Sequence, residues 1–408
     1  MTHPIQDDPE AHRPPAGASS GRGKAFLHVG LPKTGTSFLQ SHLWDSPSQL
    51  AAVGVRMVPD GRGESFTLMR AVRGQLDAEG KSSRAGRSVD GLRSLVEAAT
   101  EPTLLLSQES LGGAEPEQAG QLIGCFADRE VHVVVTARDV ARQLPSAWQQ
   151  RVKAKGDITF AEYLAAVRAN EGPGKTFWGT QDLVATLESW GSHLPADRVH
   201  VVLVPPRTAD RNQLAERFGS VVGVDFNTLV AEDLRPNYSL DPAQVELVRR
   251  VNKAHGLSSR VEHARTVKQF FSAQVLAPRR GPSAQTPADM ADWCLELAHK
   301  QVAFIEERGF RVVGDLQELL PREEDLGPAL HDVTDSEVAA AAVPAIADLL
   351  TRHNEREAEL ARLRADNEKL TAALADVREE SSPGLVRGVA GSVEGVLGKV
   401  RRRRSPRS

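Results

Sequence analysis

The stretch FLHVGLPKTGTSFLQ, residues 26–40, decides the fold. An apolar run ends at Gly30, a short loop follows, and a helical pattern starts after Gly35. A glycine-rich turn from a strand into a helix aims backbone N–H groups at an anion, and the helix dipole adds to the attraction. The spacing of Gly30 and Gly35 matches the phosphate-binding pattern G-x-x-x-x-G-K-[ST], and Ser37 falls at its last position. The lysine does not fit that pattern: Thr36 occupies its place and Lys33 sits inside the loop. A nucleoside triphosphatase that relies on that lysine and on magnesium is disfavoured. A ligand with a terminal phosphate and a transferable anionic group suits the loop better.

Around this stretch the chain alternates strand and helix patterns. AFLHVG (25–30), TLLLSQ (103–108), VHVVVTA (131–137) and RVHVVLVP (198–205) are near-continuous apolar runs. Strands covered on both faces of a parallel sheet have this composition. Helical patterns such as DGLRSLVEAAT and TQDLVATLESWGSHL lie between them. The expectation is an α/β fold, a doubly wound parallel sheet of P-loop type flanked by helices. A mostly helical stretch over roughly 210–307 and a closing strand within GFRVVGDLQELLP (309–321) complete it.

The whole chain has 408 residues, 40% hydrophobic, with a net charge of −4. That balance argues against a nucleic-acid binder, and no apolar run reaches the ~18 residues of a membrane span. The first 23 residues are polar and rich in Pro and Gly, which reads as a disordered leader without a signal-peptide core. Cys125 and Cys294 are the only cysteines, too few for a disulfide framework and not spaced for a metal. A reducing cytoplasm is the expected location.

PKTGTS, Lys33 included, resembles the 5′-phosphosulfate-binding loop of the sulfotransferases, whose pattern is PK-[ST]-G-T-[ST]. VHVVVTARDVARQLPSAWQQRVKAKG (131–156) is similar to that family's 3′-phosphate segment, with Arg138 at a strand end and Ser146 eight residues later. Its SAWQQRVKAKG portion resembles the S-x-[YW]-x-Q-x-V-K-x-G run of bacterial members. TLLLSQES ends like the S-x-E strand of many bacterial relatives, and Asn237, Ser239 and Leu240 resemble the family's N-x-S-L stretch. The resemblance covers about 25–317, and the K-G-x-x-G-x-W-K stretch of eukaryotic cytosolic members is absent.

What the resemblance implies is a sulfotransferase that uses 3′-phosphoadenosine 5′-phosphosulfate (PAPS), with no divalent metal. Lys33 would neutralise the bridging oxygen; the backbone of Thr34, Gly35 and Thr36, with the Thr36 and Ser37 hydroxyls, would hold the 5′-phosphate. Arg138 and Ser146 would bind the 3′-phosphate. Glu109 is the candidate general base for an acceptor hydroxyl on a carbohydrate, glycolipid or small metabolite; the alternative is a carboxylate that orients Lys33 or Arg138. His28 reads as a core histidine, and Ser239 either closes the site or caps the helix that begins at Pro242. Two other readings stand beside this one: a P-loop small-molecule kinase with a displaced lysine, and a non-catalytic scaffold of the same fold.

The domain is expected over 24–322, followed by a linker over 323–345. From 346 to 378 apolar residues recur at heptad spacing: Ile346, Leu349, Leu360, Leu363, Leu370, Leu374 and Val377, with Asn367 at a core position. This reads as a dimeric coiled coil, whose asparagine favours parallel pairing, or as a single solvated helix. His353 and Arg356 weaken its first half. The tail, 379–408, is strongly basic: residues 381–408 hold seven Lys/Arg against one Glu, a net of +6. Its valines share a helical face, so it either lies on an anionic membrane surface or is a disordered solubilising segment.

Overall fold

The computed structural model describes residues 22–75, 88–210, 212–230, 239–254, 259–279, 281–328 and 333–380. Residues 1–21 of the leader, Asn237 and the basic tail beyond 380 lie outside the described residues. The chain forms two units, Met1–Val338 and Ala339–Ser408.

The first unit is built on a parallel six-stranded sheet. Its strands are β1 (Lys24–Gly30), β2 (Val55–Met57), β3 (Thr103–Ser107), β4 (Glu130–Ala137), β5 (Val199–Leu203) and β7 (Arg311–Val313), in the spatial order β2-β3-β1-β4-β5-β7. The four long apolar runs of the sequence are the four central strands. They are buried on both faces because helices cover both. Ala25, Leu27 and Val29 point to one core with Trp190 and Phe126; Phe26 points to the other with Leu39, Leu43 and Phe218. The period of two along β1 thus serves both cores at once.

The strand order creates the crevice. After β1 the chain turns one way, through the helix Thr36–Asp45 toward β2; after β4 it turns the other way, through the helix Val140–Lys153 toward β5. Loops diverging from the carboxyl ends of adjacent strands leave a gap between them, where ligands of open α/β sheets bind.

Two short strands were not visible in the sequence pattern. β6 (Thr286–Pro287) pairs in parallel with β8 (Leu326–Gly327), inside a stretch read as mostly helical and beyond the expected boundary at 322. Buried Asp325 makes ion pairs with Arg207 at 3.3 Å and Arg142 at 3.8 Å, all within the first unit. Two-residue strands carry too few side chains for a periodic signal.

In the second unit the described residues lie in one helix, Asp335–Glu380, which begins in the first unit. Among the described residues no helix is long and apolar enough to cross a membrane.

Candidate functional site

The loop after β1 turns sharply because two residues take left-handed conformations, Lys33 with φ 70° and Gly35 with φ 87°. At Gly35 only glycine fits on two counts: the φ is unfavourable for an L side chain, and a Cβ would strike the Leu214 side chain. Lys33 has no such licence, so it holds its φ at a cost of about 1–2 kcal/mol, which the surrounding loop must impose. The helix Thr36–Asp45 then starts with Gly35 as its N-cap and no side-chain cap. As a result none of the backbone N–H groups from Lys33 to Ser37 finds an acceptor among the described residues. Helix starts normally satisfy these donors with side chains, water or a ligand.

The loop is fastened from beneath. Leu31 N donates to the Thr136 carbonyl at 2.8 Å, and the Thr136 hydroxyl donates to the Gly30 carbonyl at 2.9 Å. Thr34 is fully buried, its hydroxyl 2.5 Å from both Thr136 Oγ1 and the Leu31 carbonyl. Its side chain therefore holds the loop, leaving only its backbone to face a ligand. Thr36 is buried at the helix start and Ser37 is exposed, and neither hydroxyl has a protein partner among the described residues.

His28 is fully buried beneath this loop, and burial pushes its pKa down to about 3, so the ring is neutral. Nδ1 lies 2.8 Å from Ser107 Oγ and Nε2 lies 3.3 Å from Thr136 Oγ1. Thr136 gives its proton to Gly30, so Nε2 is assigned as the N–H donor to it and Nδ1 as the acceptor from Ser107. Ser107 in turn accepts from Gln40 Nε2 at 3.3 Å, and the same amide donates to Glu109 Oε2 at 2.8 Å. A chain of side chains thus runs from the Glu109 carboxylate through Gln40, Ser107, His28 and Thr136 to the loop carbonyl at Gly30. Glu109 itself begins the 3-10 turn Glu109–Gly113 beyond the end of β3, half-buried and beside Lys33.

Arg138 lies just past the end of β4. Its Nη2 donates to the Arg142 carbonyl at 2.9 Å, while its Nε is buried without a partner among the described residues. Burial lowers its pKa to about 10, with Asp139 opposing the shift. In a helix the carbonyl of residue 142 points toward the N–H of residue 146, and Ser146 is half-buried one turn along from that carbonyl. The helix Val140–Lys153 is anchored at its start by Asp139, whose carboxylate accepts from Arg142 N at 2.8 Å and also pairs with the Arg142 side chain. Pro145 inside the helix supplies no N–H for the Ala141 carbonyl; the Thr286 hydroxyl donates there instead at 2.6 Å. Gln143 from the same helix reaches the carbonyl of Pro32 in the loop at 3.3 Å.

Two further cations join this site that the sequence reading did not single out. Lys153 and Lys33 are both pushed down to about 8, mainly by burial; Lys268 lowers both, Arg138 also lowers Lys33, and the two lysines repel each other in the Lys153 shift. Lys153 stands seven residues after Ser146, two turns along the same helix face, a spacing readable in SAWQQRVKAKG. Its ammonium donates to Gln149 Oε1 at 2.8 Å. Lys268 comes from a π-helix, Ala264–Leu276, and has no local signal. Its position follows from Asn252, which donates to the carbonyls of Val152 and Gly156 at 2.8 and 2.7 Å and pairs with His263 at the foot of the π-helix.

Gln149 also clamps Leu240, its amide exchanging bonds of 3.0 and 3.2 Å with the Leu240 carbonyl and N–H. Leu240 therefore sits against the helix that carries Ser146 and Lys153; Ser239 is exposed. The structure thus brings Lys33, Glu109, Arg138 and the loop to one crevice, with four cationic side chains and one carboxylate. Among the described residues no group of three or more His, Cys, Asp or Glu side chains is arranged to hold a metal ion.

No family model matches the chain, and no curated protein does either. Among solved structures, the sulfotransferase from Alicyclobacillus acidocaldarius is similar over 60% of this chain and 95% of its own, at 16% identity and a TM-score of 0.37. The sulfotransferase domain from the curacin biosynthetic pathway is similar over 71% and 98%, at 12% identity and a TM-score of 0.31. Likeness this loose carries no argument about chemistry.

Proposed function

We propose that the chain is a sulfotransferase that moves a sulfuryl group from PAPS to a hydroxyl of a carbohydrate, glycolipid or small metabolite. The observation that carries this reading is the run of five backbone N–H groups, Lys33 to Ser37, without an acceptor among the described residues, at a crevice that also gathers Lys33, Arg138, Lys153 and Lys268. A site with that donor set takes a polyanion. The buried Arg138 Nε, without a partner among the described residues and just past the end of β4, the strand next to β1, supports a second phosphate position separate from the first. A nucleotide with phosphate on both the 3′ and 5′ sides has that shape, and ATP lacks the 3′ group.

PAPS, when bound, supplies the sulfuryl group and a leaving phosphate. Sulfuryl transfer resembles phosphoryl transfer in spreading charge over peripheral oxygens, so positioning and fixed positive charge do most of the work. Lys33 neutralises charge as it develops on the departing oxygen. The N–H groups of Thr34, Gly35 and Thr36, with the Thr36 and Ser37 hydroxyls, hold the 5′-phosphate. Arg138 and Ser146 hold the 3′-phosphate, with Lys153 and Lys268 adding charge. Glu109, oriented by Gln40, accepts the proton of the acceptor hydroxyl.

Calorimetric titration with adenosine 3′,5′-bisphosphate in the absence of magnesium tests the reading. Tight binding of the bisphosphate with feeble binding of ATP is expected. Binding of ATP only with magnesium, or of neither nucleotide, overturns it.

A further inference from the structure

We propose that the C-terminal helix is a parallel, in-register dimerisation seam whose partner is a second copy of this chain. The described part of the second unit is a single helix, and most helical stability in proteins comes from packing of an apolar stripe. Leu360, Leu363, Leu370 and Leu374 are 43%, 55%, 65% and 55% exposed, and with Asn367 they follow the a and d positions of one heptad frame.

Three features of the helix specify the occupant. First, Asn367 is an a residue. Parallel in-register pairing sets it against its own copy, where two amides bond each other; antiparallel pairing or any slip of register sets it against a leucine, leaving a buried amide unpaired. Second, the charges flanking Asn367 are complementary in that arrangement. In a parallel pair a g residue faces the e residue five positions later on the other helix. Glu359 at g then meets Arg364 of the partner subunit at e, and the two-fold axis makes the pair twice. Third, neither Glu359 nor Arg364 has an ion partner among the described residues, whereas the charged g residues Arg352 and Asp366 pair within the helix with Asp348 at 3.0 Å and Arg362 at 4.0 Å. His353 and Arg356 at core positions confine the seam to its C-terminal half, so the dimer dissociates on dilution.

Sedimentation velocity of the full chain across a wide concentration range is the test, with helix content followed by circular dichroism as the control for folding. The wild type is expected to move from monomer to dimer as concentration rises. Arg364→Glu alone and Glu359→Arg alone each set like charges together twice and weaken the dimer by about tenfold or more. Mixing these two variants restores association as a heterodimer, because acid then faces base at both pairs. Leu360→Cys and Leu374→Cys, made separately, each cross-link to their own copy under oxidation; antiparallel packing allows at most one of them to do so. A chain that stays monomeric throughout overturns the proposal, whether because the helix is solvated or because residues beyond 380 cover the stripe. A dimer with no rescue on mixing, or with one cross-link only, overturns the parallel register.

Discussion

The hydroxyl oxygens of Thr34 and Thr136 lie 2.5 Å apart, joining the loop after β1 to the strand beside it. Thr136 also donates to the Gly30 carbonyl and accepts from His28, so three buried groups depend on one oxygen. Thr136→Val keeps the shape and removes that oxygen. Leaving buried polar groups unpaired costs about 1–3 kcal/mol, and the left-handed turn at Lys33 loses its support. Lower thermal stability and weaker bisphosphate binding are expected together, with Thr136→Ser close to the wild type. Unchanged binding in Thr136→Val, measured by calorimetry, would show that the loop holds its shape without this contact.

Lys33 and Lys153 give the site a pH signature with two opposite signs. In the free protein both lose their proton near 8, below the ordinary lysine value, because burial and the neighbouring cations disfavour the charged form. An anion between them favours the ammonium, so binding takes up protons above that pH. Affinity for adenosine 3′,5′-bisphosphate should be flat below about pH 8 and fall by up to about one log unit per pH unit per lysine above it. Stability of the free protein runs the other way. The unfolded chain keeps its lysine protons up to about 10.4, so between these limits the unfolded state binds more protons and these two groups make stability rise with pH. Lys33→Met should therefore gain stability over the wild type below pH 8, with the gain closing near pH 10.5, while losing most of its bisphosphate affinity and turnover. Denaturant melts and calorimetry at a series of pH values read both signs.

Arg138 should matter more for its fork than for its charge. One arm holds the Arg142 carbonyl and the Nε is buried without a partner among the described residues, so the remaining donors have a fixed direction. Charge-assisted hydrogen bonds are worth about 1.5–3 kcal/mol each, so Arg138→Ala should weaken bisphosphate binding by about ten- to a hundredfold. Arg138→Lys should rescue little, since an ammonium cannot reproduce the fork. Ser146→Ala should cost less than either. A Kd for adenosine 5′-phosphate that rises as far as that for the bisphosphate would place Arg138 elsewhere than at a 3′-phosphate.

Much of the parallel sheet is legible in the sequence because a strand buried on both faces must be apolar throughout, as at residues 103–107 and 131–137. The loop is legible because Gly35 is demanded by backbone geometry. The support beneath it is not. Thr136 sits in an apolar strand and Gln40 on an ordinary helix face, and nothing local marks either as a hydrogen-bond partner. Lys153 was within reach of helical spacing from Ser146. Lys268 was not, because it arrives through Asn252 and His263, contacts between segments far apart in the chain. β6 and β8 are too short for periodicity to find.

Glu109 separates chemistry from binding. Its carboxylate accepts from Gln40 at 2.8 Å, and the side chain lies beside Lys33 without a bond to it. If it takes the acceptor's proton, Glu109→Gln keeps the size and the contact with Gln40 and removes only the base. General-base catalysis contributes about 10²–10⁴-fold, so turnover with a sulfate acceptor should fall by at least a hundredfold while bisphosphate affinity is preserved. In either role the substitution removes a negative neighbour from the ammonium. The Lys33 pKa then falls further, and bisphosphate affinity begins to drop at a lower pH than in the wild type. A pH series of turnover and calorimetric titrations on Glu109→Gln therefore distinguishes the roles: turnover lost at every pH, including where affinity is unmoved, assigns the base, and turnover lost only in parallel with the displaced affinity profile assigns the orienting role.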